Sequence, residues 1–222
     1  MTQDATVYRI ETLTVSPFFE NTYLVIHNET HRVVMIDPGD EPEVIRRFIE
    51  DRDLTVDVIL LTHAHMDHIG GVTRLKEIWP SVQVALHPDD LELYRMLPQQ
   101  PAWLGLSGTY PVPPDPDIEL EDGQVLEGAG LAFTVIHTPG HTPGSCCFRL
   151  EGNLFTGDTL FQGSIGRTDL PGGSYTELIR SIMTRILPLG DPIVLYPGHG
   201  PTSTIGRERL TNPFLQIPYV PL

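Results

Sequence analysis

Apolar positions in the first half of the chain follow strand-like and helix-like spacing by turns. Two apolar runs flank Asn28-Glu29-Thr30 and predict a β-hairpin. A continuous apolar run at 56–61 predicts a buried strand, and the helical spacing of apolar residues within 41–52 and 69–78 predicts a helix on each side of it. Strands that alternate with helices in this way indicate a layered α/β fold.

The second half has a similar pattern of strands and one later helix. Apolar runs predict strands at 118–121, 124–126, 131–136, 145–150, 154–156 and 193–196. Ser174 with Glu177 three residues later is typical of a helix N-terminus. We expect residues 1–222 to form one domain, with a short C-terminal tail at 200–222.

The segment 97–117 interrupts these patterns. It is rich in proline and also carries Trp103, Leu104, Leu106 and Tyr110, so we predict a loop without regular structure. Long loops in compact domains often close over a binding site. A lid over the site, a packed surface crossover and a contact in a homodimer all remain open for this loop.

Composition and charge narrow the class of protein. The chain is 40% hydrophobic and 19% charged, as in ordinary globular proteins, and no apolar run reaches the roughly 18 residues that span a membrane. The first residues lack the basic and apolar regions of a signal peptide, so we expect a cytoplasmic protein without a membrane partner. A net charge of −15 disfavours nucleic acid as a partner. The adjacent Cys146 and Cys147 predict no disulfide framework.

A dense group of metal-ligand side chains follows the predicted strand 56–61. His63 and His65 are two residues apart, so a strand end aims them the same way, while Asp67 and His68 project from the start of the next helix. Imidazole and carboxylate are ligands for zinc, iron and manganese. Two overlapping ligand sets of this kind predict two divalent metal ions, with zinc expected first and iron or manganese as alternatives.

Three further candidates follow later predicted strands. His141, Asp158 and His199 each lie beside a glycine, which permits the close backbone approach that a metal loop needs. Each residue alone would be an ordinary turn residue. Layered α/β folds collect functional residues at the carboxyl ends of their strands, so we expect all three to join the group at 63–68.

The order of these motifs resembles the metallo-β-lactamase superfamily. The motifs are THAHMDH, TPGHTPGS, TGD and PGHG, and the resemblance extends from about Asp37 to His199. It implies an αββα sandwich with the metal site at the edges of the two sheets. The segment 158–169 and the ending GHGPTSTIG…NPFL are similar to glyoxalase II-like hydrolases.

The resemblance also implies roles for individual residues. It places His63, His65 and His141 on the first metal. It places Asp67, His68 and His199 on the second metal, with Asp158 bridging the two. It makes Asp37 a carboxylate that orients a ligand histidine. Other residues near the motifs are candidates for support of the ligands (His137, Arg167 and Asp169) or for the substrate pocket (Phe161, Gln162 and Tyr196).

Structural roles compete with several of these assignments. His137 is equally interpretable as a buried structural histidine, and a hydrogen-bonded pair of Arg167 with Asp169 is the favoured alternative for those two residues. Tyr196 is the one candidate for a general acid near the motifs.

The expected chemistry is hydrolysis by a hydroxide that bridges two metals, with Asp67 orienting the metal-bound water. A thiolate leaving group with a pKa near 8.5 needs no general acid, so an acyl thioester fits better than an amide. Glyoxalase II carries a C-terminal helical domain that contacts glutathione, whereas only a short tail follows His199 here. We therefore expect a thioesterase similar to hydroxyacylglutathione hydrolase that lacks this domain, or one acting on another acyl thioester.

Other functions remain as alternatives. A mononuclear iron persulfide dioxygenase of the same superfamily would use His63, His141 and Asp158. A β-lactamase is disfavoured because no secretory signal is expected. A non-catalytic metal-binding scaffold protein would carry a damaged ligand set, whereas all seven ligand positions are filled here.

Overall fold

Two six-stranded sheets form the centre of the computed structural model, which describes residues 6–216. The first sheet contains, in spatial order, β1 (Tyr8–Val15), β2 (Glu20–His27), β3 (Arg32–Ile36), β4 (Thr55–Leu60), β5 (Gln83–Leu86) and β6 (Ile118–Glu119). The second contains β7 (Val125–Gly128), β8 (Leu131–His137), β9 (Cys146–Leu150), β10 (Asn153–Gly157), β13 (Val194–Pro197) and β14 (Ser203–Thr204). A separate hairpin pairs β11 (Leu160–Phe161) with β12 (Ser164–Ile165).

Helices cover the outer face of each sheet. The helices that precede the second sheet in the sequence are α1 (Pro42–Glu50), α2 (Met66–Ile69), α3 (Val72–Ile78), α4 (Leu91–Arg95) and α5 (Gln100–Trp103). Those that pack on the second sheet are α6 (Tyr175–Ser181), extended by one π-helical segment at Ile182–Ile186, and α7 (Ile205–Thr211). Short 3₁₀ turns lie at Pro88–Asp90, Leu97–Gln99, Leu187–Leu189 and Pro213–Leu215.

The alternation of side chains along β2 explains the layering. Leu24 and Ile26 pack with the helices of the first half, while Tyr23 and Val25 pack against the second sheet. Successive residues of a strand point to opposite faces, so a strand that is apolar at every position is buried on both sides. The result is four layers, helix–sheet–sheet–helix, and the predicted αββα metallo-β-lactamase fold is confirmed.

The carboxyl ends of β4, β8, β10 and β13 lie at a common edge of the two sheets. β10 and β13 are parallel neighbours, and the antiparallel β9 separates β8 from β10, so these three strands run in the same direction. The backbone N–H of Cys146 donates to the carbonyl of Thr62 at 2.7 Å and joins the two sheets beside this edge. The segments after the four strands are thereby brought together.

Two sequence predictions about segment structure are wrong. The predicted helix across 69–78 is interrupted between α2 and α3, where a Cβ on Gly71 would lie 2.7 Å from the carbonyl oxygen of Gly39. The first part of 97–117 is helical, because Pro98 and Pro101 occupy early positions of helical turns, where a missing N–H costs nothing.

The expected tail at 200–222 is also partly regular structure. It contains β14 and α7, and the Thr204 hydroxyl caps α7 by accepting from the N–H of Arg207. Residues 1–5 and 217–222 lie outside the described part of the chain, so the single-domain assignment of 1–222 stays a prediction. Within 6–216, no helix is long and apolar enough to cross a membrane.

Candidate metal centre

Three histidines from two loops converge at the common sheet edge. His63 and His65 follow β4, and His141 follows β8. The Nε2 atom of His141 lies 3.2 Å from Nε2 of His63 and 2.8 Å from Nδ1 of His65. All three side chains are buried. We call them the three-histidine group.

The hydrogen bonds of this group indicate that its inner nitrogens carry lone pairs. Nδ1 of His141 donates to the carbonyl oxygen of Arg167 at 2.7 Å. Nδ1 of His63 lies 3.0 Å from the hydroxyl oxygen of Thr62, which itself donates to Asp37 and therefore accepts from His63. A neutral imidazole has one donor and one acceptor nitrogen. The facing Nε2 atoms are then both acceptors, and a cation between them satisfies both.

Asp67 and His68 at the start of α2, with His199 after β13, form a second cluster, the aspartate–histidine group. Its three ligand atoms lie within 4.8 Å of one another. Nε2 of His199 is 3.3 Å from Oδ2 of Asp67, and Nε2 of His68 is 4.0 Å from the same oxygen. This mixture of imidazole and carboxylate suits zinc, iron or manganese.

The Asp158 carboxylate lies between the two groups. Its Oδ2 atom is 3.5 Å from Nε2 of His141 and 3.7 Å from Nε2 of His199, and its Oδ1 atom is 3.3 Å from Nε2 of His68. A Cβ on Gly198 would lie 2.4 Å from Oδ1 of Asp158 and 2.5 Å from the ring of His68. A glycine before His199 is therefore required for this close approach.

The Asp37 carboxylate supports histidines of both groups. Its Oδ1 atom accepts from the backbone N–H of Thr62 at 2.7 Å, and its Oδ2 atom accepts from the Thr62 hydroxyl. Nδ1 of His68 is 3.0 Å from the same Oδ2 atom. Through Thr62 the carboxylate reaches His63, and directly it reaches His68. Such outer contacts fix the tautomer and orientation of ligand imidazoles.

Burial and neighbouring charges divide the two groups electrostatically. Burial lowers the pKa of His65 to about 3 and that of His63 well below its usual range, with neighbouring histidines adding to both shifts. Burial also disfavours charge on His68, but Asp158 and Asp67 outweigh it and raise the pKa of His68. Burial by itself would raise the pKa of Asp158, yet His68 and His141 hold it well below the usual range. His63 and His65 thus present neutral imidazoles.

A cleft of about 490 Å³ opens beside the two groups. Its apolar wall contains Phe18, Met66, Trp103, Leu104 and Leu170. The segment 97–117 therefore contributes one wall of the cleft. Another part of this segment is held near the start of α1, because the Tyr110 hydroxyl donates a hydrogen bond to the Asp40 carboxylate at 3.0 Å.

Four of the remaining predicted residues lie in the segment 161–169. Arg167 lines the cleft, and its guanidinium makes two 2.8 Å hydrogen bonds to the exposed carboxylate of Asp169, which is the expected pair. Phe161 lies at the edge of the His199 ring, with centroids 6.2 Å apart. The Gln162 amide faces the guanidinium of Arg207. These positions flank the metal centre.

Two predicted positions do not line the cleft. His137 has the contacts of the structural role that the sequence left open, because it stacks on His87 with ring centroids 4.0 Å apart and its Nε2 donates to the carbonyl oxygen of Pro143. Tyr196 packs against the rings of Tyr23 and Phe155 between the sheets, because its strand register turns it away from the cleft.

Sequence reasoning missed three buried polar residues around the centre. Glu20 lies 3.9 Å from Nδ1 of His68, and burial raises the pKa of its carboxyl well above the usual range. Gln100 donates to the carbonyl oxygen of Ala64 and accepts from the N–H of Met66. Asp90 contacts both loops of the three-histidine group. At Glu20 the local signal is a polar residue beside an apolar stretch, whereas Asp90 lies in a segment typical of a helix start. Neither pattern reveals the partner.

Comparison with known proteins assigns the family. The family model described as metallo-beta-lactamase superfamily matches residues 15–206, and the chain belongs to this superfamily of metallohydrolases. The chain is 42% identical over 213 residues to hydroxyacylglutathione hydrolase GloC of Haemophilus influenzae, covering 93% of this chain and 97% of the relative.

Two solved structures are similar over nearly their whole length. BLEG-1 B3 metallo-β-lactamase superposes with a TM-score of 0.86 at 37% identity, covering 93% of this chain and 99% of that one. TTHA1623 in a di-iron-bound form superposes with a TM-score of 0.84 at 43% identity, covering 92% of this chain and all (100%) of that one. The histidine and aspartate groups described above fit a metal site of this superfamily.

Proposed function

We propose that the protein hydrolyses acyl thioesters at a dinuclear metal centre. The observation that carries the proposal is the position of Asp158, whose carboxylate faces ligand nitrogens of both the three-histidine group and the aspartate–histidine group. A carboxylate between two complete ligand groups supports two ions, whereas a single ion would leave one group without a cation. Zinc is the metal we propose first, with iron or manganese as alternatives.

Two divalent ions held by the three-histidine group, the aspartate–histidine group and Asp158 would supply water that ionises near neutral pH and would polarise a substrate carbonyl. The protein's own residues position the attacking water and shape the cleft. Asp67 lines the cleft beside His65 and His141, where its carboxylate is placed to accept a hydrogen bond from the attacking water. Met66 and Trp103 on the apolar wall exclude bulk water from the same space.

The residues of the cleft also favour a particular class of substrate. A thiolate leaves with a pKa near 8.5 and requires no acid, and Tyr196, the one candidate for such an acid, packs against Tyr23 and Phe155 and does not line the cleft. Among the cleft residues within 6–216, Arg167 is the cation, and Asp169 already neutralises it. These features favour a thioester with a small acyl group, and the name of the Haemophilus influenzae relative makes hydroxyacylglutathione the first substrate to test.

The test is a panel of acyl thioesters, lactones, a β-lactam and glutathione persulfide, assayed on protein of known metal content. We expect two ions per chain and thioester turnover well above that of the other substrates. Turnover of every thioester at the rate of the metal-free control would refute the proposal.

The mononuclear iron persulfide dioxygenase is the second candidate. His63, His141 and Asp158 lie together and would serve as its three ligands, and the di-iron-bound form of TTHA1623 makes iron a realistic metal for this fold. One iron per chain together with oxygen uptake on glutathione persulfide would select this function. A metal-binding scaffold protein would bind ions without turning over any member of the panel.

Three expectations about partners also stand as proposals. We propose a small-molecule substrate with no nucleic-acid or membrane partner, because the net charge is −15. We propose a cytoplasmic location. A homodimer through the exposed part of 97–117, where Leu106 and Val112 are open to solvent, is testable by measuring the mass in solution.

A further inference from the structure

Asp90 is a buried carboxylate that connects two loops of the metal centre. It ends the 3₁₀ turn after β5, and its side chain is fully buried. Its Oδ2 atom accepts from the N–H of Ala64 at 3.0 Å and from the hydroxyl of Thr142 at 2.8 Å. Its Oδ1 atom accepts from the N–H of Gly144 at 2.7 Å. One side chain therefore ties the loop after β4 to the loop after β8.

These two loops carry the three-histidine group. Ala64 lies between His63 and His65, and Thr142 directly follows His141. The distance between the loops sets the distances among the three imidazoles. Within residues 6–216 the three histidines come from these two loops, so a tie between the loops acts on all three imidazoles.

His65 depends on its main chain more than the other ligand histidines do. The outer nitrogens of the other four histidines each contact a polar atom, namely the Thr62 hydroxyl, the Asp37 carboxylate and the carbonyl oxygens of Arg167 and Phe18. Within residues 6–216, the buried Nε2 atom of His65 has no hydrogen-bond partner. Its orientation is fixed instead through Ala64 and Met66, which Asp90 and Gln100 hold.

Gly144 packs directly against Asp90, at a distance that leaves no room for a side chain. A Cβ at this position would lie 2.8 Å from both Cβ and Cγ of Asp90 and 2.7 Å from its backbone nitrogen. Only a residue without a side chain allows the loop after β8 to approach this closely. The contact therefore depends on two positions far apart in the sequence.

We propose that Asp90 is a positioning residue that sets the geometry of the three-histidine group and hence its affinity for a metal ion. The inference rests on the proposed dinuclear centre. Hydrogen bonds to an ionised acceptor are stronger than neutral ones, and outer contacts of this kind govern ligand geometry. The aspartate–histidine group is held elsewhere, by Asp37 and by the Phe18 carbonyl, so Asp90 acts on one group only.

The decisive variant is Asp90→Asn, which keeps the shape of the side chain. Its amide has one acceptor oxygen, so the N–H of either Ala64 or Gly144 faces a donor. Zinc binding is measured by competition with a chelator of known affinity. We expect the variant to bind one ion as the wild type does and the other about 10- to 100-fold more weakly. Glu92→Gln, which also neutralises a carboxylate but at an exposed position of α4, is the matched control, and we expect it to bind both ions as the wild type does.

Cobalt substitution identifies the weakened group. The visible spectrum of bound Co²⁺ distinguishes an environment with three imidazoles from one with two imidazoles and an additional carboxylate. We expect Asp90→Asn to lose the signal of the three-histidine group first. Loss of both ions in parallel, or affinities equal to the wild type, would overturn the proposal. Fewer than two ions in the wild type would instead contradict the dinuclear centre itself.

A second pair of variants covers the case in which Asp90→Asn does not fold. Thr142→Val removes one donor to Asp90, and Thr142→Ser retains it. We expect Thr142→Val to weaken the same ion several-fold and Thr142→Ser to restore wild-type affinity. Equal affinities in the two variants would refute a positioning role for the carboxylate.

Discussion

The two ligand groups of the centre differ in charge and in how they are held. The three-histidine group is buried, the pKa values of its His63 and His65 are lowered, and the group depends on contacts between loops. The aspartate–histidine group contains a carboxylate, and the side chain of His199 is 27% exposed. Its His68 is held by Asp37. Two sites built from the same residue types can therefore have different affinities, because the surrounding contacts set charge and geometry.

The largest effect is expected where the two groups meet. Asp158→Ala removes the carboxylate that faces both groups, so we expect both ions to be lost and thioester turnover to fall by at least about 10³-fold, or ~4 kcal/mol. Elemental analysis and steady-state kinetics measure the two effects. Asp191→Ala, an exposed carboxylate paired with Arg209, is the control. Two retained ions with normal turnover would contradict the central role of Asp158.

Variants that each remove one candidate ligand test whether the two groups bind their ions separately. His65→Ala should remove the ion of the three-histidine group, and His199→Ala should remove the other, each lowering turnover by about 10²-fold or more. Titration with Co²⁺ should give complementary spectra for the two variants. Identical spectra would mean that the groups do not act as separate sites.

Asp37→Asn should have a smaller effect on the aspartate–histidine group. Nδ1 of His68 would lose its charged partner, and we expect affinity for the ion at this group to fall about 10- to 100-fold. The competition assay that tests Asp90→Asn also measures this effect. Because Asp37 also reaches His63 through Thr62, a smaller loss of affinity is expected at the three-histidine group. If Asp37→Asn weakened only the ion of the three-histidine group, the proposed support of His68 by Asp37 would be wrong.

The smallest effect is expected at the cleft wall. Trp103→Ala removes apolar surface without touching a ligand, so KM should rise about 3- to 30-fold while metal content stays unchanged. Tyr175→Ala, a 46% exposed aromatic residue on α6, is the control. A loss of metal in Trp103→Ala would show that the wall and the three-histidine group are coupled.

Local patterns were sufficient for much of the fold. The hairpin of β2 and β3 and the strand β4 lie where the apolar runs predict them, because burial on both faces of a strand leaves a continuous apolar signature. The break between α2 and α3 was not predictable, since it depends on the approach of the Gly39 carbonyl from a distant segment. The helical start of 97–117 was missed because proline was interpreted only as a breaker.

The candidate ligands could be named from the sequence, whereas the residues that contact them could not. His63, His65, Asp67 and His68 are close in the chain, and the structure brings His141, Asp158 and His199 to them. Asp90 lies in a segment that looks like an ordinary helix start, and its partners Ala64 and Gly144 are 26 and 54 residues away. No spacing rule connects residues at such separations.

The sequence by itself determined the metal-ligand types, their order and the strands that end beside them, because spacing and glycine positions act within a few residues. Only the tertiary structure decided that His137 stacks on His87 and that Tyr196 packs against Tyr23 and Phe155. It also decided which carboxylate supports which group. Those outcomes depend on how two sheets pack and on which distant backbone groups a buried carboxylate must satisfy.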